Sequence, residues 1–112
     1  MESAGREIPT EGVSSAFQAF LSQAPGHASA WMGAVSGLEK AGALDRKTGQ
    51  LAYLAVLAAL RLESGVPFHV KLLKAAGASR EEVISAILVG LPAAGNAVVS
   101  VLPAALAAYD AA

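Results

Sequence analysis

Apolar residues recur at helical spacing from Leu51 to Leu62. Leu51, Leu54, Ala55, Ala58 and Leu62 share one face, while Tyr53, Val56, Leu57 and Leu60 cover much of the remainder. A helix apolar on nearly every side has to be buried on most of them. Asp45 is the expected N-cap, Arg46, Lys47, Thr48 and Gln50 form the one wet turn, and Ser64-Gly65 is the expected stop. Pro67 suits the first position of a second helix, where a missing N–H is no loss, so that helix is predicted from about Pro67 to Gly77. His69 then falls in its first turn, on the face of Leu72, Leu73 and Ala76 and opposite Lys71 and Lys74. The histidine is therefore expected to point inward.

The same periodicity organises the rest of the chain. A polar arm over residues 1–10 leads into an amphipathic helix carrying Val13, Ala16, Phe17, Phe20 and Leu21, which Pro25-Gly26 is expected to end. His27 is read as a solvated loop residue before a helix that puts Trp31, Ala34, Val35 and Leu38 on one face and stops at Gly42. Trp31 is read as a core or interface anchor. Ser79-Arg80-Glu81-Glu82 is a capping box opening a helix with Val83, Ile84, Ile87 and Leu88, which Leu91-Pro92 kinks or ends. A last helix is predicted from about Asn96 to Tyr109, bent at Pro103 and packed closely enough through its small residues to lie between subunits. Neither strand alternation nor a solenoid repeat is present, so the expected fold is all-α, with about six helices in one domain over residues 11–112.

Composition adds a constraint. At 112 residues with 54% hydrophobic content, and a mean hydropathy of +0.51, one small domain cannot hide all its apolar surface. Subunit interfaces or lipid must take the surplus. Residues 83–109 carry no charge and are long enough to span a bilayer, yet Gly90, Pro92, Gly95, Asn96, Ser100 and Pro103 interrupt them, which points to two packed helices and no membrane. A net charge of -1 without a basic stripe argues against nucleic acid. The opening MESAGREIPTEG lacks a secretory pattern, so a cytoplasmic location is expected. The chain has no cysteine, which excludes disulfides, thiolate metal sites and thiol redox chemistry. No metal site is expected either, because His27 and His69 are far apart in sequence.

His69 is the main candidate for chemistry. At a helix N-terminus an anion is favoured, and a neutral imidazole over a charged one. One reading makes His69 a general acid or base in a small apolar pocket with Glu63 or Arg61 beside it; the other makes it a core histidine satisfied by a backbone carbonyl.

Leu44-Asp45-Arg46-Lys47-Thr48 leading into LAYLAVLAAL, then His69 eight residues before Gly77, then Ala78 to Val83, resembles the carboxymuconolactone decarboxylase and alkylhydroperoxidase D-like family. The resemblance covers roughly residues 33–109. It implies a helical subunit built round a helical hairpin, assembled as a homotrimer or homohexamer with sites near the interfaces. The family's peroxidase branch carries Glu-x-x-Cys-x-x-Cys-x-x-x-His; here those positions are Ala59, Leu62, Gly65 and His69, so only the histidine is present and thiol peroxidase chemistry is excluded. The decarboxylase branch needs no cysteine, metal or organic cofactor. It implies a lyase acting on a small carboxylated lactone-type anion, with His69 and Glu63 catalytic. The backbone N–H groups of Phe68 and His69 would hold the anion, Arg61 and Phe68 would contact substrate, and Asn96 would bind a carbonyl or cap the last helix. The alternative is a non-catalytic oligomeric scaffold or small-molecule-binding protein of the same fold.

Overall fold

The computed structural model describes residues 13–112; the arm expected over residues 1–10 lies outside them. The described chain forms α1 (Ser15–Gln23), α2 (Pro25–Ala41), α3 (Arg46–Ala59), α4 (Val66–Ala75), α5 (Arg80–Leu88), the short α6 (Leu91–Ala94) and α7 (Leu102–Ala111). Two 3-10 segments, Glu63–Gly65 and Gly95–Val101, complete it, and there is no strand among the described residues. The all-α expectation holds.

Asp45 starts α3 as expected, its Oδ1 accepting from the Thr48 N–H at 3.2 Å. One stripe of α3, with Leu54, Leu57 and Ala58, is buried. Tyr53, Val56 and Leu60 are exposed, so the described chain covers one side of this helix, not most sides. The helix also stops earlier than Ser64-Gly65. Leu62 donates to the Leu57 carbonyl at 2.9 Å and Arg61 to the Ala58 carbonyl at 3.1 Å, the paired bonds of a Schellman stop, with Arg61 left-handed at φ 57°. The same pair ends α4, where Ala78 donates to Leu73 at 3.0 Å and Gly77 to Lys74 at 3.1 Å, with Gly77 at φ 93°. Glycine adopts that conformation freely; at Arg61 it costs about 1–2 kcal/mol. The early stop leaves room for the 3-10 turn Glu63–Gly65, which feeds directly into α4.

Helix α3 packs on α4 and α5, and α4 packs on α7. Between them lies one core, with Leu54, Val70, Leu73, Val83, Ile87 and Val98 among its fully buried members. The capping box is realised: Ser79 Oγ accepts from the Glu82 N–H at 3.0 Å, and the Ser79 N–H donates to Glu82 Oε1 at 2.8 Å. Pro92 and Pro103 each sit in the first turn of a helix, so Pro103 begins α7 instead of bending a longer one. Ala105 and Ala108 of α7 are buried within the chain itself. The segment Arg80–Ala111 has the length and composition of a membrane span, but it folds back so that α5 and α7 touch.

Tyr109 ties the end of α7 to the end of α4. Its hydroxyl donates to the buried Ala78's carbonyl at 2.8 Å, while Lys74 Nζ donates to the Tyr109 carbonyl at 2.8 Å and stands 4.6 Å from the centre of the tyrosine ring. Tyr109→Phe keeps the ring and strands the carbonyl. The variant is expected to lose ~1–3 kcal/mol in a denaturant titration.

The N-terminal helices form a hairpin of their own. α1 stops at Gln23, just before Pro25 as expected, and Pro25 also opens α2, which places His27 on the first turn of α2, exposed but not in a loop. Only Ala28 of α2 is buried; Trp31 is 56% exposed and Leu38 73%, so Trp31 is not a core anchor within one chain.

Candidate functional site

Helix α4 delivers His69 as its fourth residue, after Val66, Pro67 and Phe68. In the regular i to i−4 ladder its N–H therefore falls to the Gly65 carbonyl, and the Val66 N–H donates to Glu63. The expected pair of free N–H groups at Phe68 and His69 is thus reduced, because the preceding 3-10 turn already occupies this helix end.

The side chain makes a different contact. His69 Nδ1 lies 3.2 Å from Gln50 Oε1, on the second turn of α3. With the amide in this orientation Nδ1 carries the proton and donates, leaving Nε2 as an unprotonated acceptor with no protein partner among the described residues. Two rings fix the plane: Tyr53 at 4.7 Å between centroids, and Phe68 at 5.4 Å, edge to face. His69 is half-buried, held by an amide and not by the backbone carbonyl expected of a core histidine.

A cavity of about 380 Å³ opens against this histidine, between the α1–α2 hairpin and the facing parts of α3 and α4. Phe17, Trp31, Tyr53 and Phe68 give aromatic walls, and Met32, Val35, Leu57 and Leu62 aliphatic ones. Ser14, Ser64 and His69 add its polar side chains. No lysine, arginine, aspartate or glutamate among the described residues lines it. A larger groove of about 640 Å³ between α3 and α5 is shallower, and its Glu82 is already engaged with Ser79 and with Lys47 at 3.1 Å. The smaller cavity is the better site, since it is deeper and is lined by a histidine with an uncommitted acceptor nitrogen.

Burial pushes the imidazole of His69 below its usual value of about 6.5. The uncharged amide of Gln50 does not oppose this, as a carboxylate would. As pH falls below that ordinary value the unfolded chain takes up the proton first. The neutral histidine therefore favours the folded state above it, and this contribution is lost as pH falls through the lowered folded pKa.

Of the residues expected at the site, His69 and Phe68 line the cavity. Glu63, Arg61 and Asn96 are exposed and do not line it. Glu63 does not orient the imidazole, because Gln50 takes that place. Asn96 is no helix cap: it lies inside Gly95–Val101, whose N-cap is Ala94. Tyr53 lines the cavity and Gln50 holds the histidine from behind it, and neither is among the residues expected at the site. A signal for Gln50 existed, since it precedes Leu54 by four and Leu57 by seven on the buried stripe, where a polar side chain needs a partner.

A family model described as the carboxymuconolactone decarboxylase family matches residues 25–110. No curated protein and no solved structure matches the chain.

Proposed function

Because this chain belongs to the carboxymuconolactone decarboxylase family, we propose that it is a cofactor-independent lyase in which His69 carries one proton out of and back into a small substrate. The observation behind this reading is His69 in the cavity wall with its Nδ1 against Gln50 Oε1, which leaves Nε2 as a base. The decarboxylation fits these groups without another catalyst. A carboxylic acid placed beta to a carbonyl, as in an unsaturated lactone, enters and gives its proton to Nε2. The bond between the ring carbon and the carboxylate breaks, carbon dioxide leaves, and the electron pair becomes an enolate. The imidazolium returns the proton to that carbon, so the sum is RCOOH to RH and carbon dioxide. Both imidazole forms donate to Gln50 from Nδ1, so the ring holds its position throughout the cycle.

The test is carried out in D2O with a panel of small cyclic oxo and lactone acids, following carbon dioxide and the deuterium content of the product. Turnover with one deuterium at the carbon that lost carbon dioxide, absent in His69→Asn, is the expected outcome. Equal turnover by both proteins removes His69 from the mechanism.

The second reading, a non-catalytic small-molecule-binding protein, draws on Glu63 and Arg61 standing outside a cavity that is otherwise aromatic and aliphatic. For either reading we propose a homotrimer or homohexamer in the cytoplasm. The exposed apolar residues of α2 and α3 support self-assembly, Leu38 and Leu60 above all. Light scattering is expected to give three or six times the 11.2 kDa chain mass. A monomer at micromolar concentration contradicts it.

A further inference from the structure

We propose that the cavity admits only molecules that are neutral apart from the carboxyl group they lose: a substrate with an apolar ring body and at most one carboxyl, bound in its acid form or as the neutral product. The inference rests on the lyase reading for the words substrate and product, but its physical basis is the wall. Phe17, Trp31, Tyr53 and Phe68 offer ring faces, Met32 and Val35 flexible and branched aliphatic surface, and no cationic side chain among the described residues stands ready to receive a carboxylate. An ionised carboxylate transferred into such a wall without a partner loses several kcal/mol of solvation, whereas an ester or a lactone carbonyl loses far less. Hydrogen bonds from Ser14 and Ser64 suit a carbonyl or hydroxyl and are too few to replace the shell of a dianion. His69 offers Nε2 as an acceptor, which matches the proton of an acid or a hydroxyl and opposes the lone pairs of a carboxylate. Arg61, the cation nearest in sequence to the lining residue Leu62, is exposed and does not line the cavity. A second carboxylate that stays on the product would meet no cationic side chain among the described residues that line the cavity.

The test uses three probes on one ring: methyl benzoate, benzoate and phthalate. Trp31 is the only tryptophan and lines the cavity, so its indole N–H resonance reports binding at this site while calorimetry gives the affinity. At pH 8 methyl benzoate is expected to move the Trp31 resonance and to bind at least about tenfold tighter than benzoate, with phthalate weakest. Benzoate is expected to gain affinity as pH falls and its neutral acid becomes available. Met32→Lys, at a lining position that is 37% exposed, puts a cation on the wall and is expected to raise the affinity for benzoate relative to the ester about tenfold at pH 8. Benzoate or phthalate binding as tightly as the ester, or an ester that leaves Trp31 unmoved, overturns the inference. The same titration on His69→Asn separates it from the lyase reading. An ester preference kept in both proteins, with turnover unaffected by the substitution, retires the catalytic role and leaves the neutral-ligand cavity standing.

Discussion

The His69→Asn variant is expected to fold as the parent does and to lose at least about 10²–10⁴-fold in kcat, the usual worth of a positioned acid or base. Asparagine fits in the space of the ring and keeps an amide to meet Gln50, so packing changes little; a half-buried position of this kind shifts stability by about 1 kcal/mol or less. What it lacks is a nitrogen that accepts a proton and gives it back. The parent's rate should also fall on the acid side only below the ordinary imidazole range, because burial keeps His69 neutral to a lower pH. Unchanged kcat with a normal melting curve would leave the histidine a structural role only.

Leu73→Ala is expected to be the most damaging single truncation, at ~2–5 kcal/mol. Leu73 is fully buried in α4, within the core that α3, α4, α5 and α7 share, and its carbonyl also accepts the Ala78 N–H that closes the helix. A loss of that size is a large share of the ~5–15 kcal/mol that holds a domain together. The denaturation midpoint should fall with little change in slope, measured at one protein concentration because assembly contributes. Leu38, 73% exposed on α2, provides the contrast: its replacement by alanine removes little buried surface within the chain, so any large effect there would report on contacts between chains.

The capping residues and the helix class were legible in the sequence because they depend on local chemistry. Asp45, the Ser79 box and Gly77 act within a few residues of themselves, and each sits where its spacing placed it. The end of α3 was not legible for the same reason. A Schellman stop normally announces itself by glycine, and here the left-handed position is Arg61, so Ser64-Gly65 attracted the prediction. Prolines were ambiguous in a similar way: Pro25 and Pro103 can end one helix or open the next, and which of the two occurs depends on the packing of the flanking turns. His69 could be found because it is a titratable group on an apolar face. Its partner was obscured by composition, since Glu63 is near in sequence and charged, whereas Gln50 is 19 residues away and is brought close only by the crossing of α3 and α4. The cavity walls were further out of reach. Phe17 and Trp31 belong to a hairpin whose placement over α3 and α4 no local pattern encodes.

The proposed role of His69 as a neutral base inside this cavity is open to a site-resolved nitrogen-15 NMR titration of its imidazole, with and without methyl benzoate. Expected are a proton on Nδ1, an apparent pKa below the ordinary imidazole value, and an Nε2 signal that shifts when the ester binds, while the signals of His27 on α2 do not respond to the ester. A His69 that titrates at the ordinary value and ignores the ester would contradict it.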